Sequence, residues 1–556
     1  MRAEICWWLL CWVLPLGAAA LCTAAALKLI DILWWKPRRI EEHFAKQGIK
    51  GPPYRFFIGN LREMVSLMLD GTSKPMMPKS SHKILPRVLS FYPHWKKIYG
   101  STFLLWFGPT ARLAIADPDL IREIFIARAD FFDRYESHPL IRQLEGEGLV
   151  SLRGEKWAHH RKVLNPTFYM DNLKLLVPTI GKTVVEKVEK WAVMSVANSG
   201  GEVEIDVSDW FEEVTEDAIT RTAFGRSYED GNAVFRLQAQ QMAFASEAFK
   251  MVLIPGYRFL PTKKNTSSWK LEKEVRRNLV KLIGKRKEAA AAAAAADEER
   301  KADGAAAVSA KDLLGVMINA SRDGQRRIGP PQLAGPISVR DIVEECKTFF
   351  FAGKQTTSNL LTWTTVLLAM HPEWQERARC EVLQMCGSHH LPTRDQLARL
   401  KTLGMILNET MRLYPPVVAT IRQAKADVEL GGYKIPQGTE LLIPIIAVHH
   451  DAQLWGADAA QFNPARFVHG VARAARHPTA FIPFGLGARM CIGQNLALLE
   501  ARLTLAIILQ RFSFRLSPNY VHAPAVLMLL HPQYGAPILF RTLSSFRNGS
   551  LSHDAV

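Results

Sequence analysis

Between Ile5 and Leu27 the chain places 23 consecutive residues without one charged side chain. In hydrocarbon every backbone N–H and C=O must be satisfied within the segment, so a run of this kind is a helix. About 20 apolar residues already cross a bilayer, and this run crosses with some tilt. The apolar core of a cleaved secretory signal is only about 7–15 residues, so the stretch reads as a retained anchor. Trp34 and Trp35 suit the membrane interface, and Lys28, Lys36, Arg38 and Arg39 mark the cytoplasmic side. The expected organisation is an anchor over 1–35, then a basic hinge over 36–53 stiffened by Gly51-Pro52-Pro53. One cytosolic body over 54–545 and a tail over 546–556 complete it. No later stretch is long and apolar enough to be a second span.

Hydrophobic residues at 48% and charged residues at 22% suit a large buried core and exclude a disordered or fibrous chain. Seventy Lys and Arg against 53 Asp and Glu leave a net charge of +17, which suits an anionic lipid surface, nucleic acid or an acidic protein. No zinc-finger spacing and no repeated basic array occurs, so lipid and an acidic partner are expected and nucleic acid is not. The seven cysteines include no Cys-x-x-Cys pair, which leaves neither a disulfide framework nor a zinc site to expect. Helical periodicity runs through Leu175–Val196, Ser208–Ala223, Val234–Ala248 and Asp341–Met370. Short strand-like pieces lie at Thr102–Leu105, Arg112–Ile115, Val428–Leu430 and Glu440–Pro444, so the fold class is mainly α with small β-sheets. The eight alanines Ala289–Ala296 favour a solvated helix end and carry no chemistry.

Chemistry concentrates in Phe481-Ile-Pro-Phe-Gly-Leu-Gly-Ala-Arg-Met-Cys-Ile-Gly-Gln-Asn495. Gly485, Gly487 and Gly493 crowd around Cys491, and glycine permits tight turns and close backbone approach to a flat ligand. An apolar-periodic helix, Gln494 to Leu509, follows at once. A cysteine before a helix has its thiolate stabilised by free N–H groups and the dipole, and Arg489 adds positive charge. Such a thiolate can attack a substrate or hold a metal, and no histidine in the loop is placed to serve as the base for attack.

The pattern Phe484-Gly485-x-Gly487-x-Arg489-x-Cys491-x-Gly493 resembles the haem-binding signature of the cytochrome P-450 superfamily at every fixed position. The resemblance implies the cytochrome P-450 fold with an N-terminal transmembrane helix, and haem b as cofactor. It implies that Cys491 is the axial thiolate to the iron and that Arg489 pairs with a haem propionate. Thiolate ligation pushes electron density onto iron and favours O–O cleavage. It further implies electrons from NADPH through a flavoprotein reductase, and a single-pass protein of the endoplasmic reticulum membrane.

Other landmarks follow in the family's order. Glu409-Thr410-Met411-Arg412 puts an acid and a base on one helix face. With Phe462-Asn463-Pro464-Ala465-Arg466-Phe467 it resembles the buried Glu–Arg–Arg scaffold that holds the haem loop. The stretch Asp341–Met370, capped by Ser338 and ended by His371-Pro372, spans roughly 45 Å if helical. In its middle, Ala352-Gly353-Lys354-Gln355-Thr356-Thr357 resembles the oxygen-activation motif, where Thr356 matches the threonine that helps protonate dioxygen. A Thr356 hydroxyl can bond the Ala352 carbonyl and open the helix. Gln355 departs from the family, which usually has Asp or Glu there, and an amide does not relay protons as a carboxylate does. Trp157-Ala-His-His-Arg161 resembles the Trp-x-x-x-Arg helix whose two residues touch a propionate, and Arg422 stands at the place of another propionate arginine. His159 and His160 are expected on the surface.

Phe349 to Ser358, Ile443 to Asp451 and Ala523 to Leu530 resemble the plant steroid-inactivating branch, which hydroxylates brassinosteroids at side-chain carbon 26. Related branches act on gibberellins or cytokinins. A pocket is expected from Phe131–Leu149, Glu247–Leu260, Phe349–Gly353, Pro416–Thr420 and Val526–Leu529, which are mainly apolar. Two other classes remain open: a reductase-independent haem-thiolate isomerase, for which Thr356 would be superfluous, and a membrane-tethered steroid carrier or haem sensor.

Overall fold

A computed structural model of the chain describes residues 14–76, 81–137, 139–198, 201–249, 260–300, 312–326 and 337–543. Mostly helical, with small sheets, it divides into two compact units. One comprises Met1–Ser73, Leu85–Tyr135 and Ala419–Pro444; the other comprises Lys74–Ile84, Glu136–Val418 and Ile445–Val556. The chain leaves the first unit after Tyr135 and returns to it over Ala419–Pro444.

Among the described residues the N-terminal helix covers Leu14–Ile30, passes through one π-helical turn at Asp31–Trp35, and continues from Lys36 to Ala45. Over Leu16–Ala45 it is long and apolar enough to cross a membrane, and none of its apolar window is buried. Lys36–Ala45, within the stretch expected as a basic hinge, is helical. Pro37 offers no N–H to the Leu33 carbonyl. Here the Tyr54 hydroxyl donates to Leu33 O at 2.5 Å, so the orphaned acceptor is satisfied and the helix runs on. Trp34 packs on Tyr54 and Phe56, with ring centroids 6.2 and 6.0 Å apart, and Arg38 covers its other side at 4.8 Å.

The first unit holds a five-stranded sheet in the order Phe103–Phe107, Thr110–Ala114, Glu440–Ile443, Thr420–Ala424, Phe132–Arg134. Its one parallel pair sets Arg112 opposite Glu440, and the two buried side chains form an ion pair at 2.5 Å. Both N-terminal strands fall within two residues of their expected positions.

The second unit is built around the helix Val339–Met370, of 32 residues. Ser338 caps it through a reciprocal capping box with Asp341, and His371 leaves helical geometry before Pro372. Gly353 lets it pack closely on the helix Val207–Phe224, since a Cβ there would lie 2.6 Å from Ile219 Cγ1. Beyond, the strands Glu202–Asp206, Pro537–Thr542 and Phe512–Leu516 form a sheet in that order. The alanine run lies within the helix Lys263–Arg300.

Candidate functional site

Two glycines shape the cysteine loop. Gly485 and Gly487 hold φ of 75° and 70°, a left-handed geometry costly for any residue with a Cβ. The loop then closes through Met490 N–H to Gly487 O at 3.0 Å and Cys491 N–H to Phe484 O at 2.9 Å. It delivers Cys491 to the start of the helix Gln494–Arg511. Burial pushes the Cys491 thiol up, opposed by the backbone N–H of Gly493, the Arg161 charge and the N–H of Gln494. Yet Cys491 keeps accessible surface. Cys491 is thus crowded by protein and still reachable. On the same loop, a Cβ at Gly485 would meet no atom within 4 Å. The donor set is one thiol with two N–H groups and a cation behind it, open on one side. It fits a thiolate held by a metal on that open side, since a coordinating thiol is deprotonated outright. The residues therefore fit haem iron.

The helix Gly154–Leu164 supports this loop. Arg161 donates to Met490 O at 2.8 Å, next to the cysteine. The Arg489 guanidinium lies 4.4 Å from the Trp157 ring centroid and donates to Leu152 O at 2.9 Å. Trp157, Arg161, Arg489 and Cys491 are thus brought together. Arg422 belongs to the other unit, where it lies 4.5 Å from the Phe125 ring centroid and donates to Ile421 O at 3.1 Å.

His160 corrects the sequence reading. It is 2% exposed, not a surface residue, and its Nδ1 lies 2.7 Å from Glu345 Oε1 on the long helix. The other oxygen of Glu345 accepts from Leu149 N–H at 2.9 Å. This pair ties the Trp157–Arg161 helix to the helix that carries Thr356. Its partners stand 185 residues apart, so no local pattern marks it.

Phe351 to Gly353, Gln355 and Thr356 keep partial accessibility in the middle of the long helix, while Thr357 through Leu368 are buried. The Thr356 hydroxyl donates to Ala352 O at 2.6 Å, as expected from the sequence. Gln355 is flanked by Lys354, which is buried and paired with Glu216 at 2.7 Å and Glu212 at 3.4 Å. Two further stretches of the expected pocket join this helix. Leu530 donates to Pro416 O at 2.9 Å and accepts from Trp363 Nε1 at 3.3 Å. That bond pair ties together the segments carrying Val417 and Val526–Leu529, which are also partly accessible. Phe349 instead stacks on Phe168, centroids 5.3 Å apart, and is a packing residue. Phe131 and Phe132 belong to the first unit. Residues 250–259 of the expected pocket lie outside the described residues.

The Glu–Arg–Arg group is buried as expected. Arg412 spends all five donors, two on Glu409 at 2.7 and 2.8 Å and three on His449 O, Ala459 O and Gln461 O. Arg466 Nε lies 3.4 Å from Glu409, and Asp458, which the sequence reading missed, grips Arg466 at 2.6 Å. His449 carries the support to the cysteine loop, accepting from Ile482 N–H at 3.0 Å. Removing Glu409 leaves two buried guanidinium groups without their shared anion. Glu409→Ala is expected to cost about 3–5 kcal/mol. Thermal unfolding and haem content of Glu409→Ala beside Glu409→Asp measure this, and an unchanged melting temperature in the alanine variant would contradict it.

Comparison with known proteins follows the same line. The family model described as Cytochrome P450 matches residues 85–535. Cytochrome P450 734A6 of Oryza sativa subsp. japonica is 72% identical over 524 residues, covering 94% of each chain. Cytochrome P450 734A1 of Arabidopsis thaliana is 60% identical over 96% of this chain and 98% of its own. Cytochrome P450 CYP72A616 of Paris polyphylla is 41% identical over 95% of this chain and 99% of its own.

Proposed function

The chain belongs to the cytochrome P450 family and is a haem-thiolate monooxygenase; from that premise we propose that it hydroxylates a steroid, most specifically a brassinosteroid at side-chain carbon 26, and so inactivates the hormone. The observation that carries this reading is the near full-length similarity to the 734A relatives of two plants. The likeness of Phe349–Ser358 and Ala523–Leu530 to the steroid-inactivating branch supports it as well.

When bound, the haem supplies reductive activation of dioxygen for insertion into a C–H bond, chemistry that no side chain provides. The protein's own residues divide the remaining work. Cys491 would hold the iron through its sulfur. Trp157, Arg161, Arg489 and Arg422 would hold the propionates; for Arg422 only the family resemblance speaks. Thr356 would assist proton delivery from its Oγ1. Because that hydroxyl donates to Ala352 O, its lone pairs are left to accept from an arriving donor. Gln355 has no proton to give, and the carboxylates of Glu212 and Glu216 at this turn are engaged by Lys354. Val417 and the Val526–Leu529 segment supply an apolar lining suited to a rigid sterol skeleton.

Electrons would come from an NADPH-dependent flavoprotein reductase. The apolar N-terminal helix with its basic flank supports a single pass through the endoplasmic reticulum membrane, with the catalytic body cytosolic. Arg153 and Lys162 are exposed beside the Trp157 helix, whereas Lys156 is tied to Asp341 at 2.6 Å. Opposite charge speeds association and is screened by salt, with a Debye length of about 8 Å at physiological strength. Arg153→Glu with Lys162→Glu is expected to slow reduction by the reductase several-fold at low salt, with the difference fading as salt rises and steroid binding unchanged. Equal rates at every ionic strength would exclude this docking face.

Substrate assignment is tested by binding spectra and product analysis. Castasterone-like steroids are expected to shift the iron from low to high spin and to yield a product oxygenated at carbon 26. Hydroxylation confined to the rings, or turnover of gibberellins alone, would overturn the steroid side-chain reading.

A further inference from the structure

Trp363 follows Thr356 by seven residues on the long helix. At 3.6 residues per turn that places it two turns on, on nearly the same face and roughly 10 Å along the axis. It is completely buried, and its ring stacks on Tyr414, centroids 4.5 Å apart and planes at 20°. Tyr414 is itself the centre of a buried hydrogen-bonded line. Its hydroxyl lies 2.9 Å from His82 Nδ1 and 3.2 Å from His522 Nε2. His522 Nδ1 lies 2.7 Å from the Tyr520 hydroxyl. In the other direction, His82 Nε2 lies 3.3 Å from His371 Nε2, and His371 Nδ1 lies 3.3 Å from Glu373. Exposure rises only at that end, where the side chains of His371 and Glu373 are 24% and 61% exposed.

The chemistry of the groups gives this line a direction. An ionised carboxylate can only accept, so His371 donates from Nδ1 and accepts at Nε2. His82 must then donate from Nε2 and accept at Nδ1, and the donor it faces is the Tyr414 hydroxyl. Tyr414 in turn accepts from His522 Nε2–H, which leaves His522 Nδ1 to accept from Tyr520. One continuous set of tautomers satisfies every bond and points from Tyr520 and Tyr414 toward Glu373. Burial, together with His371, His522, His450 and Arg412, pushes His82 down to about 3, and burial pushes Tyr414 well up. The interior members therefore stay neutral, and a proton passing along the line does not come to rest on His82. A staple for residue 82 would need only its bond to Tyr414; it would require neither the run out to Glu373 nor a tryptophan stacked on the side of Thr356.

We propose that Trp363 and Tyr414 form an exit for oxidising equivalents, with His82, His371 and Glu373 carrying away the phenolic proton. The inference rests on the haem-thiolate monooxygenase reading, because oxygen activation supplies the oxidant. In a cycle that finds no C–H bond, the site takes one electron from Tyr414 by way of Trp363. The Tyr414 O–H bond breaks and its proton goes to His82 Nδ1. The Nε2 proton of His82 passes to His371, and the Nδ1 proton of His371 passes to Glu373. The site is reduced by one equivalent, Tyr414 becomes a neutral phenoxyl radical and Glu373 a carboxylic acid. A soluble thiol returns the electron, and the protons run back.

The test uses the full-length, haem-loaded, substrate-free enzyme mixed with a peracid, frozen within milliseconds and read by electron paramagnetic resonance. Wild type is expected to show a tyrosyl radical, formed several-fold more slowly in deuterium oxide. Tyr414→Phe is expected to lose that signal and to bleach its haem faster. His82→Gln keeps a hydrogen-bond acceptor beside Tyr414 but removes the imidazole base that takes the phenolic proton, and is expected to lower the signal several-fold. Trp363→Phe is expected to lower it while keeping an aromatic stack. The ferrous carbon-monoxide spectrum, recorded on the same samples, reports the haem site separately. With that spectrum intact, the absence of a tyrosyl signal in wild type, or an equal signal in Tyr414→Phe and His82→Gln, would overturn the exit.

Discussion

Cys491→Ala is expected to abolish both turnover and the red-shifted Soret band of the ferrous carbon-monoxide complex. That band reports thiolate ligation, and Cys491 is the one thiol in the glycine loop, Met490 beside it being a thioether that forms no thiolate. Cys491 keeps accessible surface and is not among the buried core residues of the described chain. Loss of its sulfur therefore removes the metal ligand with little change in packing, unlike a large-to-small change in a core, which costs about 2–5 kcal/mol. The backbone bonds that close the loop, Cys491 N–H to Phe484 O and Met490 N–H to Gly487 O, do not involve the side chain. The melting temperature of the apoprotein is accordingly expected to change little, while haem content falls. A variant that keeps the red-shifted band and its turnover would remove Cys491 from the assignment.

What was legible in the sequence was what local physics determines. Ser338 as a cap, the stop at His371-Pro372 and the Thr356–Ala352 bond all lie within four residues of their causes, and all stand in the structure. Gly353 shows where local reading stops. Its place in a helix marks it as special, but the cause is the side of Ile219 on another helix. His160 was read as exposed, but the buried acid that receives it comes from a distant helix. Lys36–Ala45 fell within the segment read as a basic hinge and is helical; the Tyr54 hydroxyl that meets the Leu33 carbonyl lies outside that local pattern. The return of Ala419–Pro444 to the first unit is a matter of strand pairing with Thr110–Ala114 and Phe132–Arg134, which no composition shift announces. Within the site, the residues expected to bear the chemistry came from motifs that resemble the family's. The supports that hold them, Glu345, Asp458 and His449, were not legible, since each acts on a residue outside its own segment.

Thr356→Ala is expected to preserve haem and substrate binding while diverting reducing equivalents to hydrogen peroxide. Assistance by a positioned proton donor or acceptor is typically worth about 10²–10⁴-fold, so product formed per NADPH should fall toward that range. The adjacent threonine is the control. Thr357 is 3% exposed, among the residues where the long helix is buried, whereas Thr356 lies in the partly accessible stretch. Thr357→Ala should lower stability without raising peroxide. Thr356→Ser keeps the hydroxyl and should restore most of the coupling; Thr356→Val keeps the shape without it and should behave as alanine does. This pairing separates proton handling from packing, because a packing role would follow size rather than the hydroxyl. Gln355→Glu extends the argument one position back. It installs an acid beside Lys354, whose ammonium already faces Glu216 and Glu212 on the neighbouring helix. If protons reach Thr356 by way of position 355, that variant should hold or raise the coupling. Full coupling in Thr356→Ala together with peroxide release in Thr357→Ala would assign the role to the wrong threonine, and peroxide yield per NADPH decides between them.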